Sequence, residues 1–484
     1  MTQRIRALAR SGSLVVLAAA VLAFTAGAQV ESRLVGTADG SRFLLVPFSS
    51  TPIIHWVSMT PAGELVDPPE FPGLSFAVAR STLSGTDTIG TKNWHEEQKV
   101  QLQLDAAMRE VVAGVGKGVL EPELVRRVEQ LKGRLDRLRD PTAWQRAMRA
   151  APSLDFRIRE LPDAVVVGVT TTRAGFATVA RLLMDRRENA ILRDLQAKYN
   201  EVMQERAARI ATDDERVRSE IVDLAFFGGG ARLKAVNPIA NEDVARDLYR
   251  KMFAPTVGYH VITGGFDLDE MQRFLQNQFN ITSNLAWRFP ERDLRRQSSE
   301  RMAVLSDGKR RGIAVGLQSA TPLGQTELMI LAEWFAGGPT SFLAKWFAAA
   351  GIPGVECRAT TPFPAGANPG LVLVEAWTSA DPRLATTGDL VEPLRQALAR
   401  ASTRVRYAEL EGARQRAIYA RDLDRADPMR LAYWLAIECG VIGRNPVEAL
   451  DLAKPSMDYK HYTAMAQQLF ADGYRTIVVM EAQQ

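Results

Sequence analysis

The sequence predicts an α+β protein folded as two units of roughly equal size. Three observations carry that expectation. The chain has 484 residues, and a single hydrophobic core stops growing at roughly 250–300 residues. Short alternating apolar runs are interspersed with long stretches of helical spacing. The same order of elements then returns after a polar stretch at 278–300 that carries no clear period and reads as a linker.

The N-terminus has the three-part layout of a secretory signal at 1–28: Arg4, Arg6 and Arg10, an apolar run from Leu14 to Phe24, and the small triplet Ala26-Gly27-Ala28, with cleavage expected before Gln29. The apolar run is too short to span ~30 Å of hydrocarbon at ~1.5 Å per residue. The mature chain is therefore expected to be exported, to the periplasm or the medium, with no stable membrane anchor. An apolar fraction of 46% with 24% charged residues excludes wholesale disorder. Once the leader is removed, 57 basic residues face 56 acidic ones, so the net charge falls from +4 to +1. Nucleic acid is excluded as a partner, because a phosphate footprint needs a clustered basic face. Cys357 and Cys439 are the only cysteines and leave open whether they pair.

In the first unit, expected at 29–277, residues 33–59 read as three short strands of an antiparallel meander. A Pro-rich loop through Pro68-Pro69 and Pro72 leads to an apolar stretch of helical length, Leu74 to Leu83. Residues 96–151 carry periodic Leu and Val between charged residues and suggest an amphipathic helical hairpin. Alternation at Asp163–Val169 marks a strand, helices are expected from Thr178 to about Ala225 and through Asn241–Met252, and Gly258–Asp267 reads as a strand. The second unit, 301–484, repeats this: strand 311–317, helix 326–335, strand 369–376, two long helices, and a terminal strand 474–480.

The run Gly73-Leu74-Ser75-Phe76-Ala77-Val78-Ala79-Arg80, continued through Gly85-Thr86 to Thr88-Ile89-Gly90-Thr91-Lys92, resembles the active-site helix of the insulinase/pitrilysin (M16) metallopeptidases, which reads approximately G-L-A-H-x-x-E-H-x-x-x-K-G-T. In the same order, Glu201–Arg206 is similar to the segment supplying the third zinc ligand, Asp247–Pro255 to the end of the first half, and Phe335–Leu343 to the Gly-rich loop and helix of the second half. The resemblance implies two homologous M16-like (LuxS/MPP-like) halves, each an antiparallel sheet with helices packed on one face, in a clamshell arrangement. It also makes the 96–151 hairpin an insertion.

The chemistry departs from that family. Two histidines at i and i+4 would bind Zn²⁺, and the glutamate before the second would polarise the attacking water. Here those positions fall on Phe76, Arg80 and Ala79. Phe offers no lone pair, Ala no proton acceptor, and Arg is a permanent cation. His55, His95, His260 and His461 include no pair at helical spacing. No catalytic residue, metal ligand set or cofactor is therefore expected, although zinc is the family's metal. Glu205 keeps the third-ligand position, or else belongs to a plain charged face with Glu201 and Arg209. If it does keep that position, Arg80 is expected to take the place of the metal and pair with Glu205, with Phe76 filling the first His volume. The Arg and Tyr that contact substrate in the family fall near Ala349 and on Gly354 or Val355. Gly337-Gly338-Pro339 is a candidate peptide-contacting loop as in non-catalytic subunits, or a plain turn between helices. Gly228-Gly229-Gly230 lacks the Lys-Ser/Thr of a phosphate loop.

The resemblance and the lost motif imply an exported, catalytically inactive subunit that pairs with an active M16 protease, or self-associates, and helps bind unstructured, extended peptides. Two alternatives remain: a zinc-dependent metalloendopeptidase with an atypical site, and a stand-alone periplasmic peptide-binding or scaffold protein.

Overall fold

The computed structural model of the chain describes residues 31–48, 51–116, 121–161, 164–227, 239–253, 258–280, 299–318, 325–363, 370–379, 383, 389–446, 449, 458–470 and 475–483. The expected leader, most of the expected linker and Gly228-Gly229-Gly230 lie outside them.

In the first half, strands β1 (Arg33–Gly36), β2 (Arg42–Pro47), β3 (Ile53–Thr60), β4 (Ser153–Glu160), β5 (Val165–Thr172) and β6 (Tyr259–Gly264) form one sheet in the order β1-β2-β6-β3-β5-β4. Between them run α1 (Leu74–Ser81), α2 (Trp94–Gly116), α3 (Pro122–Leu138), α4 (Ala143–Ala150), α5 (Phe176–Asn189), α6 (Leu195–Arg209), α7 (Asp213–Val222) and α8 (Glu242–Leu248), and α9 (Leu268–Gln278) follows β6. The second half has β7 (Arg301–Gly308), β8 (Gly312–Leu317), α10 (Gln325–Ala336), α11 (Phe342–Ala349), β9 (Glu356–Phe363), β10 (Leu371–Trp377), α12 (Val391–Ala401), α13 (Tyr407–Ala426), α14 (Pro428–Gly440), α15 (Tyr459–Leu469) and β11 (Arg475–Ala482). Its sheet runs β7-β11-β8-β10-β9. Laid on β2-β6-β3-β5-β4, the two orders match strand for strand, with β1 as an extra edge. Each sheet also contains one parallel pair among antiparallel neighbours, β2 with β6 and β7 with β11. The duplication expected from the sequence is present.

Residues 33–59 are not the expected meander. β1 and β2 form a hairpin, but β6 inserts between β2 and β3, parallel to one and antiparallel to the other. All six residues of β6 are buried, which demands a central position, and local alternation cannot reveal a partner so far along the chain. Edge strands β4, β7 and β9 were not expected either. The 96–151 segment holds three helices rather than two. α2 and α3 pack on each other through Val100, Ala107, Val128, Leu131 and Leu135, whereas Trp144 and Met148 of α4 join the main core of the first half.

Strand alternation sends side chains to both faces of each sheet. Phe43, Leu45, Ile54, Trp56, Val167 and Ile262 meet α1, α5, α6 and α9. On the other face, Leu44, Val46, Val57, Met59, Val166 and Val261 meet Leu431, Ala432, Leu435, Ala436 and Cys439 of α14, a helix of the second half. The second sheet mirrors this. Its Ile313, Val315, Val372, Val374 and Ile477 pack on its own helices, while Ala314, Leu373, Trp377 and Val478 pack on Val217 and Ile221 of α7, a helix of the first half. Each half thus lends one helix to the other's sheet. Cys357 lies in the second-half core and Cys439 on α14; both thiols are buried and unpaired with each other. Among the described residues no helix is long and apolar enough to cross a membrane.

Candidate functional site

Helix α1 starts where the Pro-rich loop folds under it. Asp67 Oδ1 accepts from the backbone N–H of Ser75 at 3.0 Å and from its hydroxyl at 2.5 Å, satisfying a donor that the helix leaves open at its N-terminus. Gly73 precedes the helix at φ 82°, and a Cβ there would lie 2.7 Å from Val202 of α6, so glycine is required both for the turn and for the close approach of the two helices. Every residue of α1 except Arg80 is buried. A helix apolar on all sides belongs in a core, and this one delivers a single charge to its surface. Thr82 closes it, its hydroxyl donating to the Ala79 carbonyl at 2.6 Å.

That charge is held by two carboxylates. Arg80 donates to Glu205 on α6 through Nη1 at 2.9 Å and Nη2 at 2.6 Å, and to Glu160 at the end of β4 through Nε at 2.6 Å and Nη2 at 2.9 Å. Both contacts are two-point forks, the geometry that suits guanidinium to carboxylate. The Arg80 and Glu160 side chains are 19% and 15% exposed, Glu205 54%. The hydrogen bond from Arg80 holds the Glu205 carboxyl below its usual range, and the bond to Glu205 in turn raises the Arg80 guanidinium above its own. Phe76, one turn before Arg80, is 4% exposed and packs into the first-half core; Ala79 is fully buried.

The expected Arg80–Glu205 pair is present, and Glu160 is a partner that sequence reasoning missed. The signal existed: residues 154–159 alternate Leu-Asp-Phe-Arg-Ile-Arg, the period of a half-exposed strand. Glu201 is not part of the constellation; it accepts from Lys198 at 2.8 Å. Zinc does not fit this donor set. Both carboxylates already accept from a fixed cation, and Phe76 contributes no electron pair where a nitrogen ligand would be needed. Of the histidines, His55 contacts Thr170 at 3.0 Å and His260 is buried beside Trp56.

Gly337, Gly338 and Pro339 lie in a separate place, a cleft of about 870 Å³ in the second half that is also lined by Gly354, Val355 and the edge strand β9. The Gly338 N–H donates to the Cys357 carbonyl of β9 at 3.3 Å. At the cleft floor, Arg218 of α7 forks onto buried Glu375 at 3.0 and 2.7 Å. Ala349 is exposed at the end of α11, and Gly354 sits at φ 77° on the cleft wall.

Two matching sheets with exchanged helices are the fold of the M16 peptidase-like proteins. Among solved structures, the chain is similar to the inactive domain of a peptidase M16 from Pseudomonas fluorescens, at a TM-score of 0.67 and 11% identity over 94% of this chain and 99% of that one. It is also similar to the periplasmic protease PqqL from Escherichia coli, at 0.59 and 12%, over 93% of this chain and 48% of that one. The ferredoxin protease FusC, a mutant solved in complex with Arabidopsis ferredoxin, matches at 0.61 and 12% over 95% of this chain and 46% of that one. No protein-family model and no curated protein matches the sequence.

Proposed function

We propose that the chain is an exported, catalytically inactive M16 peptidase homologue that pairs with an active M16 zinc protease and helps to hold extended peptides. The observation that carries this reading is Arg80, whose guanidinium occupies the carboxylates Glu160 and Glu205 at the position where the family's motif calls for a zinc-binding histidine. A peptide-holding role needs no metal, because an extended chain adds to a free sheet edge through backbone hydrogen bonds. The edge strands β4 and β9 are suited to that, and β9 borders the cleft containing Gly337, Gly338 and Pro339. The single-chain protease PqqL is about twice as long as the region this chain matches, so a second M16-like chain would supply the other half.

The test is metal analysis and peptidase assay on the purified mature chain, followed by light scattering with a candidate M16 protease. We expect zinc well below one equivalent, no cleavage of unstructured peptides, and a defined complex with the protease. Near-stoichiometric zinc with chelator-sensitive cleavage would overturn this in favour of an atypical metalloendopeptidase. Peptide binding without any protease complex would favour a stand-alone scaffold.

A further inference from the structure

A second constellation of charge lies in the first half, away from the Arg80 forks. Between the sheet and α5 is a pocket of about 40 Å³, lined by Trp56, Ser58, Thr82, Arg186, Arg187 and His260 among others. A water needs roughly 10–15 Å³ on this measure, so the space admits a few waters or one small oxyanion. Arg186 is 8% exposed. Its Nε donates to the Thr82 hydroxyl at 2.9 Å, and among the described residues it makes no ion pair. A buried cation without a counter-charge is costly, and burial lowers the Arg186 guanidinium to about 10, still charged at neutral pH. Arg187 adds a second positive charge; burial lowers its guanidinium to about 10, against the opposing pull of Asp39 and Glu188.

The remaining polar groups are the Trp56 indole N–H, the His260 ring and the hydroxyls of Ser58, Thr60, Thr82 and Tyr249. His260 is buried and held neutral by burial. Its Nδ1 lies 3.3 Å from the Trp56 indole N–H and its Nε2 lies 3.4 Å from an Arg187 N–H. A neutral imidazole has one acceptor nitrogen, so one of these two contacts sets donor against donor. The Thr82 hydroxyl already receives Arg186 while donating to Ala79. The pocket brings two guanidinium groups together, and none of its lining residues is a carboxylate.

We propose that this pocket binds a small oxyanion, of phosphate or carboxylate size, through Arg186 with Arg187 and His260 beside it. Because Thr82 ends α1, an anion there would brace the helix that carries Arg80. The probes are potassium phosphate, sulfate and acetate, compared at constant ionic strength by thermal unfolding of the wild-type chain and of Arg186→Gln and Arg186→Lys. At about ten times its Kd, the preferred anion should raise the wild-type Tm by about 1–3 °C. That rise should vanish in Arg186→Gln and persist in part in Arg186→Lys. Phosphate and sulfate acting alone would indicate a tetrahedral ligand, and acetate acting as well a carboxylate source. Sulfate and phosphate also stabilise proteins non-specifically, so an equal rise in Arg186→Gln would overturn the proposal, as would no rise in any anion. Should Arg186→Gln fail to fold, wild-type crystals soaked in selenate give an independent readout. An anomalous peak within hydrogen-bond reach of Arg186 supports the site, and its absence overturns it.

Discussion

Arg80 and Glu205, on two different helices, are joined by two hydrogen bonds of 2.9 and 2.6 Å. The same guanidinium grips Glu160, so its removal strands two carboxylates that are not equally protected. Glu160 is 15% exposed and Glu205 54%, and the exposed pair contributes under about 1 kcal/mol. Arg80→Ala should therefore destabilise by about 2–4 kcal/mol, mostly through Glu160. In urea melts, Arg80→Ala combined with Glu160→Gln should recover more of the loss than Arg80→Ala with Glu205→Gln. Equal recovery by both would show that Glu160 carries no special share.

A buried carboxylate, Glu97, ties the α2/α3 hairpin to Arg193, which precedes α6. Glu97 is 1% exposed and accepts from Arg193 at 2.6 and 2.9 Å and from Arg139 at 2.8 Å. Burial alone would raise its pKa, but the hydrogen bonds from the two arginines outweigh it and hold the carboxyl below its usual 4.5. A depressed folded pKa gives stability that is present above the unfolded value and lost as pH falls through the folded one. The wild type should hold a plateau above about pH 5 and lose stability below about 4.5. Glu97→Gln should be less stable on the plateau and fall less steeply in acid. An unchanged acid slope in urea melts across pH 3–7 would contradict this.

How much of this was legible in the sequence depended on range. The α1 run from Gly73 to Arg80 is local, and its apolar spacing could be read from the residues; the lost ligand positions and the Arg80–Glu205 pair, 125 residues apart, came only from the resemblance to the M16 motif. The order of β2, β6 and β3 could not, because β6 enters the sheet from the far end of the first half. Glu160 was missed for a different reason: its strand lies at an edge and alternates with charged residues, so it lacks the apolar run that marked β5 and β10. The transfer of α7 and α14 is also invisible to periodicity. Leu431, Leu435 and Cys439 show that α14 must be buried, not against which sheet.

Restoring the motif separates metal binding from catalysis. Phe76→His, Ala79→Glu and Arg80→His together remove the cation and present two imidazoles to Glu205. We expect about one zinc per chain by metal analysis and a Tm that rises with zinc, since a ligand stabilises the state it binds. The apo form should be weaker than wild type by about 2–4 kcal/mol, because a polar ring replaces buried Phe76. Peptide cleavage should stay absent, because the groups that orient the metal ligands are not rebuilt. Zinc-free triple mutant would refute the correspondence between α1 and the metal helix.

The exchanged helices make a prediction about cooperativity. α14 closes the outer face of the first sheet and α7 that of the second, so neither half can keep both sheet faces dry without the other. Gly168 shows how tight the contact is: a Cβ there would lie 2.0 Å from the Tyr433 hydroxyl of α14. Overpacking of this kind costs about 1–3 kcal/mol, and Gly168→Ala should displace α14 without touching the Arg80 forks. Leu435→Ala in α14 and Ile221→Ala in α7, both fully buried, should each cost about 2–5 kcal/mol. If the halves are coupled, all three substitutions lower the midpoint of one shared transition, and fluorescence and circular dichroism melts remain coincident. If Leu435→Ala instead splits the melt into two steps, with the second half unfolding at its wild-type temperature, the halves are independent and the helix exchange is only a packing contact.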